Sequence, residues 1–286
     1  MFLFYINDIP DNIQSTVRLF ADDTILYMTV KSEQDAEQLQ KDIEQLECWE
    51  DLWQMDFHPE KCQVISVTRN RKIKHYDYTL HNHKLQHTDH AKYLGITITK
   101  DLRWNQHINN ITRKANNTLA FLKRNININD TQVKSTAYKT LVRPSLEYAS
   151  SVWDPYTKSN IDKIEMVQRR AARYASNRYR NTSSVSDMLL NLGWDTLAER
   201  REHQRLLMLY KMRNNIIAVK DTDYLTRHNR PSRKNNTLSY QIPHSKTDYH
   251  RYSFFPRTAK VWNILSENVV TAPSIEAFRK QLRLAE

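Results

Sequence analysis

Glycine scarcity is the feature that most limits what this chain can form. The 286 residues contain only two glycines, Gly95 and Gly193, whereas glycine makes up about 7% of average proteins. Loops that cradle phosphates need several closely spaced glycines, because their backbone must approach the ligand. The sequence therefore excludes P-loop and dinucleotide-binding sites. Any phosphate must be bound by cationic side chains, a metal or helix N-termini.

Two adjacent aspartates, Asp22 and Asp23, separate two apolar runs rich in β-forming residues. The pattern predicts strands over 16–20 and 24–29, with the acids at the tight connection between them. Carboxylate oxygens are the ligands that Mg²⁺ prefers, and two metals there could activate a 3′ hydroxyl and stabilise a leaving pyrophosphate. The alternative is ordinary turn chemistry, because aspartate tolerates turn geometry and bonds to its own backbone.

The charge of the chain is divided unevenly along its length. The formal net charge is +11. Residues 1–60 carry 3 basic and 14 acidic side chains, a net charge of −11, whereas residues 61–286 carry 40 and 18, a net charge of +22. A basic segment 61–286 after an acidic segment 1–60 indicates that the basic segment binds a polyanion and that the acidic segment faces metals or solvent. The alternative is that the basic residues only solvate the surface.

The cysteines and the apolar segments indicate an intracellular protein, in the cytoplasm or the nucleus. Cys48 and Cys62 have no metal-type spacing and fit a reducing compartment. The run 1–6 is too short for a signal peptide, and no stretch approaches the roughly 20 apolar residues of a membrane span. Because this run begins without a polar lead-in, we expect the chain to be cut from a longer protein.

The N-terminal third predicts an antiparallel sheet covered by one helix. Ser32 is typical of a helix N-cap with Asp35 as its capping-box partner, and the helix should end by Pro59. Its predicted apolar face is Ala36, Leu39, Ile43, Leu46 and Trp53. Further strands are predicted over 61–68, with Lys61 at its start, and over 91–98, where Gly95 allows close backbone approach.

Five histidines lie close together between these two strands. They are His75, His81, His83, His87 and His90. The cluster permits a metal site. No cysteine joins it, however, and the segment alternates as a solvated hairpin does, so the hairpin is the favoured interpretation.

From Trp104 onward the apolar spacing is typical of helices. Predicted helices cover about 108–124, 131–148 with an interruption at Pro144, 161–174, 195–217, 256–269 and 273–284. Residues 220–251 are predicted to form a polar loop. The predicted domains are 1–103, 104–219 and 220–286.

The helices after residue 104 are candidates for binding nucleic acid. Residues 163–215 carry 11 basic and 5 acidic side chains. The candidate phosphate ligands are Arg169, Arg170, Arg173, Arg200 and Arg201. Nearby aromatic residues, Tyr174, Tyr179 and Tyr210, could contact sugars and bases.

In series, these motifs resemble the reverse transcriptase of jockey-like non-LTR retrotransposons, from the second half of the palm onward. The matching pieces are 5–10, the Phe-Ala-Asp-Asp motif at 20–23, 57–62 with His58 in place of the usual asparagine, and 92–95. Further matching pieces are 102–108, 144–148, 153–155, 167–173, 192–201, 254–258 and 262–265. The resemblance covers nearly the whole chain.

The resemblance implies an RNA-directed DNA polymerase that uses two Mg²⁺ ions, deoxynucleoside triphosphates, an RNA template and a DNA primer. Asp22 and Asp23 would be catalytic metal ligands, and Lys61 would lie by the triphosphate as a general acid. Phe20 would pack near the primer end, with Tyr93, Leu94 and Gly95 along the primer strand. The fold implied is α+β: part of a palm followed by a mostly helical thumb and C-terminal region that holds the template–primer duplex by its backbone.

One departure from the family pattern bears on activity. The family uses a third carboxylate from an earlier palm strand and a fingers region, and neither precedes residue 1 of this sequence. We therefore expect this polypeptide not to polymerise DNA by itself. The alternative function is a non-catalytic remnant that grips RNA or RNA–DNA duplex through its basic helices. A third interpretation is a helical scaffold that binds other proteins.

Overall fold

The computed structural model describes residues 6–68, 70, 75–180, 182–229 and 236–284. The chain forms two compact units, Met1–Gln106 and His107–Glu286. It is a mixed α and β protein, in agreement with the predicted class, and the three predicted domains stay a prediction. Most of the apolar start, 1–5, lies outside the described residues. Across the described ranges, no helix combines the length and apolar character needed to cross a membrane.

The first unit contains one long helix and short paired strands. The helix is α1 (Glu33–Trp53). The strands are β1 (Thr16–Phe20), β2 (Asp23–Tyr27), β3 (Gln63–Val64), β4 (Thr79–Leu80), β5 (His83–Lys84), β6 (Gln86–His87), β7 (His90–Tyr93) and β8 (Ile96–Thr99). Strand β1 has the predicted bounds. Strand β2 begins one residue early, because Asp23 pairs with Phe20 across the turn.

Helix α1 connects the two small cores of this unit. Ser32 and Asp35 form the predicted capping box. Near the C-terminal end of α1, Leu46 and Trp49 pack against Ile6, Ile9 and Val17. Near its N-terminal end the packing partners are on the β4–β5 hairpin: Ala36 and Ile43 contact Tyr78, Leu80 and Leu85. The predicted apolar face is confirmed.

The predicted single antiparallel sheet is wrong for the described residues. They form four separate two-stranded ladders, three antiparallel and one parallel, the last between β3 and β6. The predicted strand 61–68 is reduced to two residues, because Pro59 starts a 3₁₀ turn in which Lys61 N–H bonds to His58 O at 2.9 Å. The predicted strand 91–98 is a hairpin of β7 and β8 that turns at Leu94 and Gly95.

The second unit is helical. Its helices are α2 (Asn105–Asn125, which starts in the first unit), α3 (Thr131–Ala137), α4 (Arg143–Glu147), α5 (Ser150–Trp153), α6 (Lys158–Ala175), α7 (Val185–Leu192), α8 (Leu197–Arg213), α9 (Asp248–Arg251), α10 (Phe254–Trp262), α11 (Glu267–Val270) and α12 (Ile275–Leu284). A π-helical turn, Tyr138–Val142, joins α3 to α4. It lies just before Pro144, whose missing N–H disfavours a regular helix, as the sequence predicted.

Two predictions for the C-terminal region are corrected. The predicted helix 256–269 is broken into α10 and α11, because Ser266 takes an extended conformation, with ψ of 154°, just before α11. The Asn263 side chain, at the end of α10, bonds to the backbone of Tyr240 through both its oxygen and its nitrogen. The predicted polar loop 220–251 contains a buried hydrogen-bonded group around Asp221. Asp221 is 1% exposed and accepts hydrogen bonds from Arg227 and from the Tyr240 hydroxyl.

Candidate functional site

The two candidate metal ligands lie at the turn of the β1–β2 hairpin. Ala21 takes the left-handed conformation, with φ of 52°, and so turns the chain within two residues. Asp22 and Asp23 are exposed, and the Phe20 side chain beside them is 63% exposed. Among the described contacts, neither carboxylate is bound by a cation or a hydrogen-bond donor. The pair is therefore open to solvent rather than part of a salt-bridged core.

One predicted primer-binding residue, Tyr93, lies within electrostatic reach of this turn. Burial, and then the negative charge of Asp23, raise the pKa of the Tyr93 phenol. Tyr93 ends β7, and Leu94 and Gly95 form the turn to β8 with φ of 46° and 80°. Gly95 therefore serves the turn, where a left-handed residue is required.

The described residues do not complete a magnesium site. They contain no group of three or more histidine, cysteine, aspartate or glutamate side chains arranged to hold a metal. Two adjacent aspartates could supply part of a shell, and Mg²⁺ bound by one or two carboxylates keeps several waters. Lys61 is exposed in its 3₁₀ turn, and no hydrogen bond or ion pair joins it to Asp22 or Asp23 in the part of the chain described.

Asp42, which sequence reasoning missed, fixes the base of the hairpin on α1. Its carboxylate is 1% exposed and accepts hydrogen bonds from the backbone of Gln14 (3.2 Å) and Ser15 (2.8 Å), from the Ser15 hydroxyl and from Gln38 (3.0 Å). Burial alone would raise the pKa of Asp42, but these hydrogen bonds outweigh it and lower the pKa. An acid beside Ile43 on the apolar side of the helix was the available signal.

Asp42→Asn should destabilise the first unit by about 3 kcal/mol, because an amide nitrogen would face donors that now bind a charged acceptor. A lowered pKa stabilises the fold above the unfolded value of about 3.9, and that stabilisation is lost as the pH falls through the lower folded value. The free energies of unfolding of the variant and the natural chain should therefore show their full difference at neutral pH and become similar in acid. Urea unfolding with hydrogen exchange of peptides from Met1–Gln106 measures this. Glu37→Gln, on the exposed face of α1, is the control, and a pH-independent difference would contradict the assignment.

A second missed acid anchors the segment before the hairpin. The Asp8 carboxylate accepts hydrogen bonds from both indole groups of α1, at 2.7 Å from Trp49 and 3.0 Å from Trp53. The matching family segment 5–10 therefore contains a structural carboxylate. Tyr5 of this segment lies outside the described residues.

The histidine cluster divides among several separate contacts. The rings of His75 and His87 are 5.1 Å apart, and His81 Nε2 lies 2.6 Å from the buried Glu50 carboxylate. The segment forms the β4–β5 hairpin over 79–84. This pairing of β4 with β5 favours the hairpin interpretation.

A basic surface is formed in the second unit by α2 and α6, which pack side by side in parallel. Lys163 donates to Asn109 and Arg170 donates to Asn116, each at 3.0 Å, and the Tyr174 hydroxyl bonds to Leu122 O at 3.2 Å. The residue separation is nearly constant, at 54, 54 and 52, which identifies parallel helices.

We call Lys123, Lys163 and Arg170 the seam cations. Arg170 and Lys163 are bound by neutral amides, so their charges are not cancelled there, and α2 contains no acidic residue. Burial and the charge of Arg170 lower the pKa of Lys123. This is the response expected of a partly buried cation that also has a like charge nearby. Arg169 is also exposed on α6, and Arg173 is half-buried in its last turn.

The two candidate arginines of α8 are structural. Arg201 is 0% exposed, and its Nε lies 2.8 Å from Asp154 Oδ1; Arg205 and Arg257 surround the same carboxylate at 3.1 and 3.2 Å. Arg200 is bound by Glu147 through two nitrogens. The prediction that Arg201 contacts nucleic acid is therefore wrong, because its guanidinium is buried and paired with Asp154. Sequence could not reveal a partner 47 residues away.

Comparison with known proteins finds relatives of one kind. The chain is 28% identical over 164 residues to the RNA-directed DNA polymerase from mobile element jockey of Drosophila melanogaster, covering 56% of this chain and 18% of that protein. It is 25% identical over 201 residues to the jockey polymerase of Drosophila funebris, covering 66% and 22%. It is 23% identical over 220 residues to the "Probable RNA-directed DNA polymerase from transposon X-element" of Drosophila melanogaster, covering 72% and 24%.

These matches confirm the resemblance to the reverse transcriptases of jockey-like non-LTR retrotransposons. The chain spans about a fifth of the length of these relatives. No protein-family profile matches the chain, and no solved structure matches it.

Proposed function

We propose that this chain is the C-terminal part of the palm, followed by the thumb, of an RNA-directed DNA polymerase. The observation that carries the proposal is the exposed Asp22–Asp23 pair at the β1–β2 turn, with Tyr93 within its electrostatic reach, at positions where the sequence resembles the family's metal-binding hairpin and primer-gripping strand. The relatives' names supply the activity: an RNA template, a DNA primer and deoxynucleoside triphosphates would be the substrates.

In this proposal Asp22 and Asp23 hold Mg²⁺ together with a further carboxylate that the described residues do not supply. Two bound metals would polarise the attacking hydroxyl and the leaving pyrophosphate. The chain's own contribution is to present Asp22 in the two-residue turn and Asp23 at the start of β2, on a hairpin whose base is fixed to α1 by Asp42. Phe20, Tyr93, Leu94 and Gly95 would line the primer, and Lys61 would face the triphosphate.

A polypeptide of these 286 residues should not extend a primer. Two carboxylates give an incomplete shell and weak metal binding, so we expect no template-dependent synthesis on a primed RNA with Mg²⁺ or Mn²⁺. The assay compares the natural chain with Asp22→Ala. Extension by the natural chain above that variant would contradict the prediction of inactivity, and would at the same time support the assignment of the hairpin.

The second candidate function is non-catalytic binding of RNA or RNA–DNA duplex. The seam cations favour it, because amide-bound cations leave their charge available to phosphates. Arg169, Arg170 and Arg173 remain candidates for such contacts. The two functions are separable, since only the first requires Asp22 and Asp23.

We also propose an intracellular location, in the cytoplasm or nucleus. Both cysteines, Cys48 and Cys62, are free thiols, which fits a reducing compartment.

A further inference from the structure

A short basic segment with one aromatic ring projects beyond the C-terminal end of α6. We call Arg178, Tyr179 and Arg180 the tip. All three are exposed, and the Tyr179 side chain is 58% exposed. Among the described ion pairs, neither arginine is bound to a carboxylate. The tip is therefore a positively charged surface that carries an accessible aromatic face.

Hydrogen bonds of Asn177 and of the Arg178 backbone hold the start of the tip against α6 and its neighbours. Asn177 takes the left-handed conformation with φ of 52°, and Arg178 N–H bonds back to Arg173 O at 3.1 Å. The Asn177 amide donates to Asn129 and accepts from Lys134, which is 5% exposed and lies 4.9 Å above the Tyr174 ring. These contacts determine the direction in which the chain leaves the helix.

The tip lies at the same end of the α2–α6 pair as Lys123. Since α2 and α6 are parallel, their C-terminal ends lie at the same end of the pair, where Lys123 and Arg124 close α2. Burial, and then the nearby Tyr179, raise the pKa of Tyr174, whose hydroxyl bonds to Leu122 O. Tyr179 therefore lies close to this end. Asp130, the nearby acid, is engaged in capping α3.

We propose that the tip binds an unpaired nucleotide segment that emerges from a duplex held along the seam cations. A base would stack on Tyr179, and Arg178 and Arg180 would bind the flanking phosphates. Stacking on an aromatic ring accepts any base, whereas cations alone would bind any polyanion. This inference rests on the proposed nucleic-acid binding and adds the recognition of a single strand.

The test measures affinity by fluorescence anisotropy for three RNA–DNA duplexes: one blunt, one with a short uridine overhang, and one with an equally long abasic overhang. The natural chain should bind the uridine overhang roughly fivefold or more tightly than the abasic one. Tyr179→Ala should abolish this preference and leave binding to the blunt duplex unchanged, while Tyr179→Phe should keep it.

Tyr148→Ala is the matched control. Tyr148 is 59% exposed in the same unit, but the residue before it is the acidic Glu147, whereas Tyr179 lies between two arginines. It should keep the preference. Equal binding to both overhangs, or equal losses for the two alanine variants, would overturn the inference. So would binding to phosphatidylserine vesicles that Tyr179→Ala removes to the same extent as overhang binding. Failure of the natural chain to bind the blunt duplex would instead overturn the proposed nucleic-acid function.

Discussion

Asp154→Asn is expected to destabilise the second unit by about 3–5 kcal/mol, the range typical of a buried ion pair that loses one partner. The Asp154 side chain is 6% exposed and is the shared carboxylate of Arg201, Arg205 and Arg257. Arg201 and Arg205 are also fully buried. The neutral amide would leave the Arg201 guanidinium without its paired anion, and Arg205 would keep only Glu202, at 3.1 Å.

Urea unfolding, followed by hydrogen exchange of peptides from the second unit, measures this loss. Asp162→Asn removes an exposed acid from α6 and should change stability by less than about 0.5 kcal/mol. Combining Asp154→Leu with Arg201→Met and Arg205→Met should recover much of the loss, because buried ion pairs can be replaced by apolar residues of similar volume. A loss below about 1 kcal/mol for Asp154→Asn would contradict a structural role for these arginines.

Replacing the three seam cations with glutamine should weaken binding to RNA–DNA duplex by roughly 100-fold near physiological salt. Each lost phosphate contact reduces the slope of log affinity against log salt by about 0.9, so three contacts should reduce it by about 2.7. The measurement is a salt titration of duplex affinity for the natural chain and for Lys123→Gln/Lys163→Gln/Arg170→Gln.

The control for the seam variant removes the same formal charge from other parts of the second unit, as Lys220→Gln/Lys260→Gln/Arg279→Gln. These three residues are exposed. If both triple variants lose affinity equally, general electrostatic attraction explains the binding and the seam is not the site. Asp22→Ala/Asp23→Ala should leave duplex binding intact, since the hairpin belongs to the other function.

Local sequence signals predicted local structure well. The β1 strand, the Ser32–Asp35 cap and the π-helical interruption before Pro144 all depend on neighbours within a few residues. Leu94 was misjudged because a leucine with positive φ is rare, so an apolar run favoured a continuous strand.

The failures at the candidate site came from contacts between distant residues. Arg201 looks like a phosphate ligand until Asp154, 47 residues earlier, is known to bind it. Asp42 looks like a solvated helix acid, but its partner Ser15 lies 27 residues away. The charge count over 163–215 could not separate exposed cations such as Lys163 and Arg170 from the internal arginines of α8.

The parallel packing of α2 and α6 limits how far the basic surface could be miniaturised. Neighbouring parallel helices require a long return connection, and here the segment from residue 126 to residue 157 makes it, carrying α3, α4 and α5. A two-helix peptide joined by a short loop would pack antiparallel, so the Lys163–Asn109 and Arg170–Asn116 pairs could not form. A synthetic mimic of this surface would therefore need the whole span from α2 to α6 as one autonomous fragment.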